Sequence, residues 1–483
     1  MAITDLTIIS RSMTGRLFST VTTVITVGVA VGLMFLLLGM RDAGMRAFTR
    51  GSGNMHLVVS RDSGPLAAVL NNVFHAGTPQ GAISWAQFDA LMNRPRAGIP
   101  PVIAMVEWAI PLQHGDSYQG FPVVATSRGF FEKFQPVAGR PLEMASGEWF
   151  DSPLEPALSM QEPLRLRRED AVLQCVVGAE AWEATRLEVG NRIFMVHGTG
   201  ENAGHIHEED AITVVGVLKP TGTAHDRAIF IDLGTSWLLH ARDFHERIEG
   251  DHEAAVRQAT QEGREPPPAP PTLDEYMATG YQPQITGVYI RAAARPGSNT
   301  PAILPQLFMT LRTDPVVGAV ASPTDQIQAL FRIVGNVNQV LLGMAAVVMV
   351  SSGIAIMLAL YNSMEQRRRQ IAVLRVLGAS RGRIFRLILA ESTLLGAIGA
   401  ALGLALAGFG GVIVAGVMRD RLGLGIEPSI WITQAFGSGE TAWSLPLTPI
   451  VLAGAVLLAA AAGVIPAIMA YRTPVARNLR PLG

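Results

Sequence analysis

Four long apolar runs, one near the start and three in the last third, constrain this chain more than any other feature. Leu17 to Met40, Val340 to Tyr361, Ser392 to Met418 and Leu447 to Tyr471 each supply the roughly 20 residues that a helix needs to cross about 30 Å of hydrocarbon. Lipid offers the backbone no hydrogen bonds, so a spanning run of this kind must be helical. One span, a long gap and three more spans describe a helical membrane protein with a large inserted domain. The first run is longer than the apolar core of a usual signal peptide and no small-x-small site follows it, so we expect it to be retained.

Charge placement orients the spans. The connection between the second and third runs carries Arg367, Arg368, Arg369, Arg375, Arg381, Arg383 and Arg386, whereas the next connection sets Arg419 and Arg421 against Asp420, Glu427 and Glu440. Basic short loops stay in the cytoplasm. The same rule places Arg11, Arg16, Arg472, Arg477 and Arg480 inside, in agreement with an even number of crossings. We therefore expect a bacterial inner-membrane protein with both termini cytoplasmic. Its segments are 1–16 inside, spans at 17–40, 340–361, 387–418 and 447–471, an extracytoplasmic domain at 41–332, a basic cytoplasmic loop at 362–386, a short outer loop at 419–446 and a tail at 472–483.

The inserted segment reads as mixed α/β. Ala171 to Val177, Ile193 to Val196, Ile212 to Leu218 and Ile229 to Leu233 have strand length and β-branched content between turn residues, while Ser84 to Met92 and Ala179 to Leu187 are helical candidates. The run Glu265 to Pro271, EPPPAPP, suits a stiff exposed connection. The single cysteine, Cys175, excludes an intrachain disulfide and reads as a small core residue.

Composition removes several functions. The net charge is −1 and the basic residues sit beside the spans, where they meet lipid headgroups, so no nucleic-acid surface is expected. Lys133 and Lys219 are the only lysines and neither follows the glycine of a Gly-Lys-Ser/Thr sequence, so the chain has no Walker A phosphate cradle. Nor does it carry a recognisable catalytic triad. We expect no enzyme activity of its own.

Two segments carry candidate chemistry. In the basic loop, Ile371, Val373, Leu374 and Leu377 recur at near-helical spacing among arginines. Gly378 offers a helix end and Ser380 a cap for the next helix. Such a short amphipathic helix suits a lever pushed by a cytoplasmic partner, or, more plainly, an interfacial helix whose arginines meet lipid phosphates. Glu391 follows near the cytoplasmic end of the third span, where Arg386 or another loop arginine is the expected partner. Gly399 and Gly403, four residues apart, predict close helix packing. In the inserted domain, His197, His205, His207, Glu208 and His225 offer the nitrogen and oxygen ligands that zinc accepts. A solvated polar loop is the plainer reading of the same residues.

The stretch 364–392, MEQRRRQIAVLRVLGASRGRIFRLILAES, resembles the signature loop of the FtsX-like permeases, the MacB and LolC/LolE class of ABC transporter membrane subunits. Glu365, Arg367, Ile371, Leu374, Arg375, Gly378, Ala379 and Glu391 match the family pattern, and Gln370 departs from the usual glutamate. VVGAEAWEATRLEVGNRI at 176–193 with ITVVGVL at 212–218 is similar to the MacB-like periplasmic domain, with Asn191 in place of the usual aspartate. PAIMAYRTPVARNLR at 466–480 resembles the family's tail. The resemblance implies four spans, a MacB-like domain between the first and second, and a dimer with a second permease subunit, identical or not. It also implies two copies of a separate ATPase holding ATP and Mg, contacted through Glu365, Arg367, Ile371, Leu374, Arg375, Gly378 and Ala379. Motion passed to the outer domain would serve export, lipoprotein or substrate extraction, zinc-linked handling or delivery to a periplasmic adaptor or substrate-binding protein. A non-transporting FtsX-like signalling role, controlling a cell-wall hydrolase, is the alternative.

Overall fold

The computed structural model describes residues 5–96, 98–137, 139–153, 166–198, 210–294, 301–422, 429–436 and 443–472. They form two compact units. One comprises Met1–Met45, Phe331–Met418 and Ile426–Gly483, the other Arg46–Leu330 with Arg419–Gly425.

The first unit is built on long helices. Leu17–Gly51, Pro323–Val376, Arg381–Leu422 and Leu447–Arg472 contain four stretches long and apolar enough to cross a membrane, Leu17–Arg46, Gln339–Met364, Arg381–Met418 and Leu447–Arg472. Most of their side chains point outward, Phe18, Val347, Phe409 and Leu457 among them, as lipid-facing surfaces do. Inside, Val27, Val31 and Phe35 of the first helix meet Ile356 and Leu360 of the second, Ala400 and Ala407 of the third, and Ala455 and Ala459 of the fourth.

Small residues set how closely these helices approach. A Cβ added at Gly399 would stand 2.6 Å from Val27 Cβ, and one at Gly403 would stand 2.7 Å from the Gly28 carbonyl oxygen. The glycine pair thus packs the third span against the first within this chain. In lipid, where burial itself drives little association, such backbone proximity supplies the van der Waals contact.

The basic segment after the second span is not a separate short helix. The Pro323–Val376 helix runs through it without a break, because no glycine or proline interrupts 354–377 and arginine, glutamine and leucine are good helix formers. Glu391 also departs from expectation. Its carboxylate is held by Arg16 Nη2 at 2.6 Å and by the Ser12 hydroxyl at 2.7 Å, so its partner comes from ahead of the first span and not from Arg386.

The second unit is a mixed sheet with helices on its faces. Its strands are β1 (Leu57–Ser60), β2 (Ile83–Ser84), β3 (Val106–Tyr118), β4 (Phe121–Thr126), β5 (Met144–Gly147), β6 (Gln174–Val177), β7 (Arg192–Ile193), β8 (Val196–His197), β9 (Ile212–Leu218), β10 (Ile229–Asp232), β11 (Gln284–Ile285), β12 (Gly287–Ala292) and β13 (Ala319–Ala321). The main order is β13-β1-β12-β3-β4-β10-β6-β9-β5. β10 lies parallel to β4, and β6 parallel to β9. The first and last strands, β1 and β13, are antiparallel neighbours, with Val59 opposite Val320.

Alternation along the strands fills both faces. Ile229 and Ile231 of β10 and Val288 and Ile290 of β12 enter an aliphatic core with Trp237 and Cys175, and burial raises the Cys175 thiol well above its ordinary range. Phe230 and Tyr289, at the intervening positions, join Phe130 and Phe134 in an aromatic layer. Strands covered on both faces read as continuous apolar runs. Ser84 closes a capping box with Gln87 at the start of the Trp85–Asn93 helix.

A helix over Leu233–Gln261 is the longest of this unit's elements that sequence patterning did not indicate. Asp232 caps it, accepting from the Gly234 amide. Its first two turns are buried although they carry Thr235 and Ser236, and Arg242 and His245 further along are enclosed as well. The polar groups are satisfied from elsewhere: Thr235 Oγ1 accepts from the Leu173 amide and Arg242 pairs with Asp210 at 2.7 Å.

Candidate functional site

Five histidines of the inserted domain fall into two groups near a bulge in β3. β3 is long, and its ladder with β4 slips between His114 and Ser117, where Gly115 takes a φ of 151°. A bulge of this kind re-aims side chains and ends local pairing. On its other side β3 receives the two-residue strand β8 with Asp116 directly opposite His197. Gly198 secures that edge, its amide donating to the Gly115 carbonyl at 2.8 Å and its carbonyl accepting from Ser117 Oγ at 2.6 Å.

Asp116, His197 and His240 make the first group. The buried Asp116 carboxylate lies 3.0 Å from His197 Nδ1 and 3.9 Å from His240 Nε2. The two rings stand nearly perpendicular, 5.2 Å between centroids. The hydrogen bond to Asp116 raises the His197 imidazole above its ordinary value, against partial burial, which lowers it. His240 comes from the Leu233–Gln261 helix, and its Nδ1 lies 2.7 Å from the Ser236 carbonyl oxygen. A carbonyl can only accept, so Nδ1 carries a proton. Both histidines line a cleft of about 850 Å³ together with His114, Gln80, Gln284 and Thr286.

His75, His114 and His225 make the second group, a file of imidazoles leading inward. His114 Nε2 lies 3.2 Å from His75 Nδ1, and His75 Nε2 lies 3.3 Å from His225 Nδ1. At the cleft end, His114 Nδ1 contacts Thr286 Oγ1 at 3.0 Å. At the inner end, His225 packs edge-on against Phe130 and Phe134. Desolvation lowers all three, His114 to about 4 and His225 to about 3, with neighbouring imidazoles adding to the effect on His75 and His225. They are neutral at pH 7. The Thr286 hydroxyl donates to the Leu112 carbonyl, so it accepts from His114 Nδ1. The neutral rings then donate in one direction, from His225 to His75 to His114, and among the described residues His225 Nε2 has no hydrogen-bond partner. His75 holds a left-handed backbone, φ 51°, a conformation that costs a non-glycine residue about 1 kcal/mol or more.

These placements divide the expected ligands. His197 lies in the first group. His225 does not join it; it sits in the aromatic layer and bonds to His75. Closeness in sequence misled here, because β9 and the turn after it carry His225 to the other cluster. His205, His207 and Glu208 lie outside the described residues. Asp116 and His240, which complete the first group, come from distant segments: the β3–β8 pairing sets Asp116 opposite His197, and the Leu233–Gln261 helix brings His240.

In the first unit the family-matched residues surround a tight turn. Gly378 has a φ of 99°, its amide bonds to the Arg375 carbonyl, and the Ala379 amide bonds to the Leu374 carbonyl at 3.0 Å. This is the Schellman ending, with Gly378 at the left-handed position. Ser380 Oγ then accepts from the Arg383 amide and caps the next helix. Ile371 is buried with Met364, Ile384, Ile388, Ala467 and Ala470, whereas Val376 and Leu377 are exposed. Glu365 and Arg367 belong to the continuous helix.

A family model for the MacB-like periplasmic core domain matches residues 19–307, and one for the FtsX-like permease C-terminal region matches residues 342–475. No curated protein matches the chain.

Proposed function

The chain belongs to the FtsX/MacB-type family of ABC permeases, and from that premise we propose that it is the membrane subunit of a transporter whose ATPase is a separate polypeptide. The turn at Gly378 carries this reading. Two long helices meet there, and exposed Val376 and Leu377 stand beside a buried anchor at Ile371. An anchored end with an exposed apolar edge is what a docking partner needs to push on. ATP and Mg would belong to that partner, since this chain has no lysine in a phosphate-binding loop.

In this reading the basic loop and both termini are cytoplasmic in a bacterial inner membrane, and the inserted domain is periplasmic. Two permease subunits and two ATPases make the complex, and nucleotide-driven closure is passed along the helices to the inserted domain. Glu365, Arg367, Ile371, Leu374, Arg375, Gly378 and Ala379 form the coupling segment. Export and extraction of a lipoprotein or other substrate both use this motion.

Affinity purification of the full chain tests the proposal. The native protein should bring down an ABC ATPase and stimulate its hydrolysis, and Leu374→Asp combined with Arg375→Glu should lose both. Undiminished recovery and activity with that variant would overturn the coupling assignment.

A further inference from the structure

We infer that Asp116, His197 and His240 form a site for a divalent transition-metal ion of borderline softness, zinc being the best fit, at the wall of the inserted domain's cleft. Among the described residues, their ligand atoms lie within 4.8 Å of one another. Two imidazole nitrogens and one carboxylate oxygen are the donors of three-ligand zinc sites that keep a fourth position open.

The supporting shell suits a ligating histidine. His240 Nδ1–H is committed to the Ser236 carbonyl at 2.7 Å, the outer contact that fixes the tautomer and orientation of a ligating histidine. In the ligating form Nε2 is bare and lies 3.9 Å from Asp116 Oδ1. Asp116 is buried at 3% exposure, so a cation held against it would be screened little by water and salt.

Tetrahedral zinc needs ligand atoms about 3.3 Å apart, against 3.0 and 3.9 Å for the contacts that Asp116 makes. Closing on the ion requires Asp116 and His240 to draw slightly together, while His197, half exposed on a two-residue edge strand, has room to adjust. The fourth position opens on the cleft, where water or a group of an incoming ligand can occupy it. This site stands independently of ATPase coupling and would survive the failure of that reading.

The test uses the full chain in detergent, stripped of metal and titrated with Zn²⁺ against a chromophoric chelator, and with Co²⁺ followed by its visible d–d absorption. One equivalent per chain is expected. His197→Ala and Asp116→Asn should each weaken binding by about 100-fold or more, while His252→Ala and the combined His205→Ala, His207→Ala variant should bind as the native chain does. His197→Ala, at an exposed edge, tests the site even if Asp116→Asn fails to fold. Absence of a stoichiometric equivalent, undiminished binding by His197→Ala, or loss of binding on removing His205 and His207 would each overturn the assignment.

Discussion

Arg16 and Glu391 are bonded at 2.6 Å, joining the segment ahead of the first span to the helix of the third. Glu391 is almost wholly enclosed and Ser12 holds the same oxygen. Removing one partner leaves the other charge enclosed, which costs about 3 kcal/mol or more, whereas replacing both by apolar groups is nearly neutral. Thermal unfolding in detergent should therefore rank Arg16→Met and Glu391→Leu well below the double variant. Additive losses in that cycle would show that the pair does not act as a unit.

Gly378 occupies a backbone region that a side chain enters at a cost of about 1 kcal/mol. Gly378→Ala should leave the spans inserted and folded but shift the turn, lowering ATPase stimulation more than it lowers the unfolding temperature. Equal stimulation by the native and variant chains would remove this turn from the coupling path.

The glycines of the third span differ in what surrounds them. A side chain at Gly403 would collide with Gly28 and Val31, whereas nothing lies within 4 Å of a Cβ built at Gly416. Gly403→Val should destabilise the bundle by about 2 kcal/mol or more through overpacking, and Gly416→Val should have no effect on the unfolding of the monomer. Matched thermal shifts of the two variants would contradict the packing described above.

The imidazole file makes the inserted domain acid-sensitive. His225 falls to about 3 from an ordinary 6.5, with His75, His114, Arg227 and Asp62 as the charged or titratable groups around the file. Between these two values the unfolded chain binds a proton at His225 that the folded chain does not, so stability falls as pH drops. The slope is about 1.4 kcal/mol per pH unit for each such group once pH is well below 6.5. Unfolding midpoints measured from pH 7.5 to 5 should decline, and His225→Leu should flatten the decline. A pH-independent midpoint would rule out neutral burial of this ring.

What could be read from the sequence was what local pattern encodes. The spans stand out because each is an unbroken apolar run, and Ile212–Leu218 forms its strand over the residues expected. The Leu233–Gln261 helix did not, because Arg242 and Thr235 look like surface residues until Asp210 and Leu173 are placed beside them. The histidine groups were hidden for the same reason. His114 and Asp116 are two residues apart yet serve different clusters, and the bulge that separates them has no signature beyond one glycine. Proximity in the chain suggested that His225 belonged with His197, whereas the sheet order assigns it to His75.

The pairing of β1 with β13 settles how the rest of the molecule experiences the inserted domain. Val58 to Ser60 and Ala319 to Ala321 are hydrogen-bonded neighbours, so the ends of the insertion are already together when the domain is folded. An unfolded insert of this length would burden the joining of the first two spans with about 4 kcal/mol more closure entropy than a tight turn does. Folded, the domain joins them at close to the turn's own entropic cost, and a whole α/β module can be carried without loosening the helices that flank it.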